Sequence, residues 1–332
     1  MIQEMPVDFV IPWVDGQDIA WQEKKNCYRQ TEGDNIHPAR YRDWGLLRYL
    51  FRGIERFTPW VNRIWIVSDD QVPEWLNIDH PKVRLISQDT LLPSQCRPTF
   101  NINAIELNMH RIPGLSDRFV YLNDDMFFLK DIPQSSFFRD GLPCDVAILS
   151  PVIVTRKLDV GSIVVNDMCL INSHFVKGEV MKQRPLQWVN IRYGAQLLRT
   201  ICLMPWRHFP GFYNPHLPQP YLKSSFEAVW EAEPERLSEV CTHRFRNFHS
   251  DVNHWLVRYW QLCSGNFCPM SPRYGRDLPI MCIEETENAI CGKRYSYVCI
   301  NDDERIDEIA PYQERLKNAL DNILHEKSAF EI

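Results

Sequence analysis

The chain has 332 residues, 45% hydrophobic and 24% charged, enough to bury at least one large core and to hold two lobes. A formal net charge of -6 offers no basic field to a nucleic-acid backbone, so nucleic acid is excluded as a default partner and any anionic ligand must be met by a local cluster of Arg or Lys. The eleven cysteines are odd in number and contain no C-x-x-C pair, which reads as reduced thiols rather than a disulfide framework or a zinc site.

The first 130 residues alternate between strand and helix signals. Val7 to Ile11 is a short β-rich run ending in the turn Pro12-Trp13-Val14-Asp15-Gly16. From Trp44 to Phe57 apolar residues recur at helical spacing, with Asp43 placed to cap the start. Arg63 to Val67 and Lys82 to Ile86 read as strands, Ala104 to Ile112 as a helix, and Arg118 to Leu122 as a strand that delivers Asn123-Asp124-Asp125. Acidic groups at the C-terminal end of a strand are expected of an open α/β sheet, whose ligands bind there.

Further on, Cys144 to Val165 is β-rich and Leu186 to Leu203 helical in pattern. Pro205 to Pro220 is a Pro-rich, aromatic loop carrying His216. Helices are expected over Tyr221 to Trp230, Asp251 to Leu262 and Ile306 to Leu324, the last amphipathic, so the C-terminal part is mostly helical. Apolar stretches are broken within about a dozen residues, so neither a signal peptide nor a membrane span is expected. Two parts, 1–150 and 151–332, are expected to form one integrated unit.

Chemistry concentrates at a few places. Asp124 and Asp125 leave a buried strand side by side and need a positive neighbour; a divalent cation on a diphosphate would serve. Asn301-Asp302-Asp303 repeats that form after the strand Tyr297 to Ile300, although a capped helix start explains it equally well. Glu106 falls near an expected helix start, where it either meets the helix dipole or acts as a site acid. His216, held between prolines, suits general-base work. Arg244 and Arg246 alternate, so both are expected to point one way and clamp phosphate oxygens.

In order along the chain, Trp13-Val14-Asp15-Gly16, Arg40-Tyr41-Arg42-Asp43, Pro98-Thr99-Phe100, Ala104-Ile105-Glu106, Asn123-Asp124-Asp125, His216 through Trp255 and Val298 through Asp302 resemble the signature regions of the Stealth family of sugar-phosphate transferases. The resemblance implies a nucleotide-sugar transferase-like, GT-A-type α/β fold and transfer of a hexose 1-phosphate from a UDP-sugar to a capsular or exopolysaccharide, with release of UMP. It places Glu106, Asp125, His216 and Arg246 in the active site. Trp13, Asp15, Gly16, Arg40, Asp43 and Arg244 are then candidates for the donor, and Asp124, Asp125 and Asp302 for Mg²⁺ or Mn²⁺. The implied acceptor is a polysaccharide or lipid-linked oligosaccharide, and the implied location the cytoplasm, with at most peripheral association at the inner face of the membrane; oligomerisation stays open. A UDP-releasing glycosyltransferase and a non-catalytic glycan-binding protein are the competing readings.

Overall fold

The computed structural model describes residues 5–29, 37–154 and 158–332. The N-terminal part runs β1 (Val7–Pro12), α1 (Ile19–Cys27), α2 (Leu47–Phe57), β2 (Ile64–Ser68), β3 (Val83–Ser87), α3 (Ile102–Glu106), β4 (Arg118–Tyr121) and β5 (Met126–Phe128). There follow β6 (Phe138–Arg139), β7 (Leu142–Asp145), α4 (Val160–His174), α5 (Lys177–Gln183), α6 (Pro185–Trp188), α7 (Leu197–Leu203), β8 (Gln219–Leu222), α8 (Lys223–Ala232), α9 (Pro234–Thr242) and α10 (His254–Cys263). The chain closes with β9 (Cys268–Pro269), β10 (Gly275–Pro279), α11 (Ile283–Cys291), β11 (Tyr297–Asn301) and α12 (Ala310–Leu324).

The main sheet has the order β3-β2-β1-β4-β8, parallel except for the antiparallel edge strand β8. It is an open, mostly parallel sheet with helices packed on both faces. Its central strands are apolar on both faces because both faces are covered. Phe9 and Ile11 of β1 join a core with α2 and α12, while Val10 joins a second core with α4, α8 and α10. Asp8 is fully buried within β1, but Asn62, Trp65 and the backbone N–H of Ser116 all donate to its carboxylate. Strand order reverses between β1 and β4, and a crevice forms beyond the carboxyl ends of strands at such a point.

Two further pairings aim loops at that crevice. Strand β5 begins immediately after Asp125 and pairs antiparallel with β11, Met126 opposite Cys299, and the Ile300 N–H donates to the Asp125 carbonyl at 3.0 Å. The two Asn-Asp-Asp segments are thereby neighbours in space. In the main sheet Gln219 of β8 lies opposite Tyr121 of β4, which sets His216 just past the end of β4.

Several boundaries differ from the sequence expectation. Gly45 sits at a φ of 63° and the Asp43 carboxylate accepts from the Gly45 N–H at 2.7 Å, so Asp43 closes a turn and α2 starts only at Leu47. The expected helix over 104–112 is α3 followed by a 3-10 turn, and Glu106 is the last residue of α3, which removes the helix-dipole explanation for it. Within 144–165 the strand ends at Asp145, and α4 starts at Val160, capped by Asp159. Gly194, at a φ of 57°, breaks the helical pattern of 186–203. Tyr221 belongs to β8 rather than to the helix that follows, and α10 starts at His254 behind the Asn253 cap.

One buried ion pair ties the helical part to the sheets. Arg258 of α10, fully buried, donates through Nε and Nη2 to Asp145 at 2.8 Å each, and through Nη1 to the Tyr213 carbonyl and Asn214 on the loop leading to His216. Removing one partner of such a pair strands the other charge in the interior. Asp145→Ala is therefore expected to lower the unfolding free energy by about 3–5 kcal/mol. Urea denaturation measures it, and a loss under about 1 kcal/mol contradicts the role given to the pair.

Candidate active site

A cavity of about 450 Å³ occupies the crevice. Its wall takes residues from just past each parallel strand: Trp13 and Val14 after β1, Asp69 after β2, Gln88 after β3, and Asn123, Asp124 and Asp125 after β4. Glu106, Arg40, Asp43, His216, Arg246 and Asp302 complete it, so nine of the expected site residues line one space with Trp13, Asp124 and Asp125 included.

Three expected donor contacts lie outside that lining. Arg244 and Arg246 do not share a direction: Arg244 donates to the Pro98 carbonyl at 2.7 Å and lies 4.7 Å over the Tyr28 ring, while Arg246 faces the cavity. The backbone N–H of Asp15 donates to Gln71, and its carboxylate accepts from the Gln17 N–H, closing the turn after Trp13. Gly16 has a packing role, since a Cβ there would stand 1.9 Å from the Tyr41 carbonyl oxygen. Only glycine lets this turn press against the Arg40-Tyr41-Arg42 segment.

Like charge crowds the site. Burial raises the Asp124 carboxyl well above the ordinary carboxylate range, and the negative charges of Asp125 and Asp43 push it further. Burial likewise raises Asp125, Asp43 and Asp302. Arg42 offsets Asp302 through a 3.2 Å ion pair. Asp125 Oδ1 and Asp302 Oδ2 are nevertheless shut away from solvent, and among the described residues neither has a hydrogen-bond donor. Two oxygens left in that condition fit a cation, since an unpaired buried carboxylate is otherwise expensive. Asp125, His216 and Cys299 also bring three ligand-type atoms within 4.8 Å of one another.

The positive side is built by Arg40 and Arg246. Burial lowers the Arg40 guanidinium from its usual value and the nearby charge of Arg246 lowers it further, and among the described residues its buried Nε has no acceptor, while Nη2 holds Glu304 at 3.1 Å. Arg40, not Arg244, is the second cation beside Arg246. The loop bearing Arg246 is fixed by Asp251, fully buried, whose carboxylate accepts from Asn101, Asn103, the Asn247 N–H and His243 at 2.6–3.0 Å.

His216 is clamped on both nitrogens. Its Nδ1 donates to Asn301 Oδ1 at 2.7 Å, and its Nε2 accepts from Asn123 Nδ2 at 2.5 Å. Asparagine oxygen on one side and asparagine amide on the other orient the ring with the lone pair at Nε2. The two asparagines, one from each Asn-Asp-Asp segment, are functional positions that the sequence pattern assigns to their acidic neighbours instead, and Asp69 and Asp251 are further ones it does not mark. The repeated Asn was the available signal for the first pair; nothing local marked the second.

Glu106 is buried at the back of the cavity, where Tyr121 donates to Oε1 at 2.6 Å. His254 stands 4.0 Å away, but burial holds its imidazole neutral, so the contact is not an ion pair. Desolvation pushes Glu106 up to about 7, against the opposing effects of Tyr121, Arg246 and His216. Because the folded chain then keeps a proton that the unfolded chain has lost, this group makes stability fall as pH rises from 4.5 towards 7. An isotope-labelled Glu106 carboxyl is expected to titrate near 7 by carbon NMR, and Tyr121→Phe to raise the midpoint further by removing a donor to the ionised form. A midpoint at the ordinary 4.5 contradicts the assignment.

Among the described residues no helix is long and apolar enough to cross a membrane. Residues 5–33 match Stealth protein conserved region 1 and residues 40–144 match Stealth protein conserved region 2. A capsular polysaccharide phosphotransferase WcwK of Streptococcus pneumoniae is 38% identical over 98% of this chain and 98% of its own. The exopolysaccharide phosphotransferase cps2G of Lactiplantibacillus plantarum is 37% identical over 98% of this chain and 96% of its own. The receptor polysaccharide phosphotransferase WefC of Streptococcus gordonii is 38% identical over 98% of this chain and 99% of its own. With such identity sustained from end to end, the chain belongs to the Stealth family.

Proposed function

We propose that this chain is a sugar-phosphate transferase that moves a hexose 1-phosphate from a UDP-sugar to a hydroxyl of a growing capsular or exopolysaccharide, releasing UMP. The observation that carries the reading is the convergence of Glu106, Asp125, His216 and Arg246 on one crevice of a nucleotide-binding type of sheet, beside a second guanidinium from Arg40. The phosphotransferase names of relatives that span nearly the whole chain support the reaction class.

In this reading the acceptor oxygen attacks the phosphorus that bears the sugar. A new P–O bond forms, the bond from that phosphorus to the bridging oxygen breaks, and the electron pair leaves with UMP. The acceptor proton passes to His216 Nε2, which releases the Asn123 amide, while Asn301 keeps the proton on Nδ1. Arg246 and Arg40 hold the equatorial oxygens, where charge accumulates. Glu106, protonated over part of the working range, donates to or orients a sugar hydroxyl. Asp124, Asp125 and Asp302 would hold Mg²⁺ or Mn²⁺, which when bound supplies positive charge for the leaving phosphate.

The direct test is to incubate the chain with acceptor, a panel of UDP-sugars and Mg²⁺, and identify the nucleotide formed. UMP in step with transfer is expected; UDP in step with transfer assigns a glycosyltransferase instead.

Substitutions test the roles separately. His216→Ala is expected to lower kcat by about 10²–10⁴-fold with little change in donor affinity, the loss of a base. Arg246→Ala is expected to weaken both the donor complex and the transition state, lowering kcat by about 10²–10³-fold. Asp125→Asn keeps shape and is expected to abolish turnover in a folded protein. Substantial turnover in that variant, or full activity of the unaltered chain in excess EDTA, rules out the metal role. Near-normal kcat for the His216 variant at all pH values transfers the base to Glu106.

A further inference from the structure

Residues 176–208, between α4 and β8, present an unusual outer surface. Ile191 is 93% exposed, Leu186 80%, Leu198 63% and Trp206 58%, and Val176, Val189, Ile201 and Met204 are exposed with them. On α7 the buried residue is Thr200, while Leu198, Ile201 and Arg199 face outward, the inverse of an ordinary surface helix. The segment is also firmly seated. Trp188 is fully buried against Phe209, Phe212 and Phe267, and Lys177 Nζ donates to the carbonyls of Leu203, Met204 and Trp206 at 2.6–3.0 Å. The space beneath is filled, so the outward side chains are not core residues lacking a place.

Charge identifies what covers them. Residues 176–208 contain six Lys or Arg and a single Glu, in a chain whose net charge is -6. Lys177 is buried, but Lys182, Arg184, Arg192, Arg199 and Arg207 are all exposed, and among the described residues none lies within ion-pair distance of a carboxylate. Apolar side chains interleaved with unpaired cations match the boundary of an anionic lipid layer, where acyl chains take the former and headgroups the latter. A symmetric dimer through the same face would instead set like cations against each other.

We propose that this face docks the chain on an anionic membrane surface, without insertion of a spanning helix. At the end of this segment the Val152 N–H donates to the Pro210 carbonyl at 3.1 Å, beside the exposed Ile153 and Val154. The docking itself does not depend on which reaction the site performs.

The test is co-sedimentation of the full chain with vesicles of phosphatidylcholine alone and of phosphatidylcholine mixed equally with phosphatidylglycerol. Binding to the mixed vesicles that weakens as salt rises, and little binding to the neutral ones, is expected. Ile191→Glu with Leu198→Glu and Trp206→Glu should reduce that binding by at least about tenfold. Arg192→Glu with Arg199→Glu should remove most of its salt dependence. All five positions are exposed, and Arg192 gives up only a surface hydrogen bond to the Pro269 carbonyl, so thermal unfolding should change little, which separates lost docking from lost folding. Absence of vesicle binding by the unaltered chain overturns the proposal, as does equal binding by the variants. Self-association in sedimentation velocity that the same apolar substitutions abolish, without vesicle binding, assigns the face to a second copy.

Discussion

Carboxylates gathered in a desolvated space repel one another, and the rest of this structure is arranged around that repulsion. Asp43, Asp124, Asp125 and Asp302 line one cavity, and burial raises every one of them. Neutral side chains would stabilise the fold better at those positions, so the retained acids point to a ligand that supplies the missing positive charge. Arg42 takes up part of the imbalance at Asp302, whereas Asp125 has a neighbouring thiol from Cys299 but no cationic ion-pair partner among the described residues, and its Oδ1 is buried without a hydrogen bond among them. In the same cavity Arg40 and Arg246 make the opposite arrangement, two cations close enough to disfavour each other. Acids and guanidiniums lining one cavity suit a cation and a diphosphate entering together.

The fold supplies this juxtaposition through topology. Reversal of strand order between β1 and β4 opens the crevice, and the antiparallel pairing of β5 with β11 returns the second Asn-Asp-Asp segment to the first. His216 arrives on the approach to the edge strand β8, and the two asparagines fix its tautomer. Behind these groups lie fully satisfied networks: Asp251 organises the Arg246 loop, and the Arg258–Asp145 pair organises the approach to His216. Such supports cost little flexibility where reacting groups must hold position, and they place the rigid elements behind the site rather than within it.

Most of the parallel sheet was legible because its strands are short apolar runs bounded by turns, and strand ends carrying acids pointed to the crevice. The helices were less legible wherever a local conformation cut the apolar period: Gly45 delays α2, Gly194 breaks 186–203, and a 3-10 turn ends the pattern after α3. Spacing also misled at Arg244 and Arg246. Alternation predicts a shared face only in a regular strand, and this segment is an irregular loop in which Arg244 is drawn to the Pro98 carbonyl. Asp251 was out of reach for a different reason. Its partners Asn101 and Asn103 lie up to 150 residues away in the chain, so its importance exists only once the chain has folded.

Sugar-phosphate transfer stands or falls on the fate of one phosphorus atom. A UDP-sugar radiolabelled at the phosphorus that bears the sugar should be given to the chain with its glycan acceptor, and the label followed after the nucleotides are separated from the glycan. Label is expected in the glycan, resistant to phosphatase because it lies in a phosphodiester, together with unlabelled UMP. Label retained in UDP, with a glycan that gains sugar but no phosphorus, would contradict it.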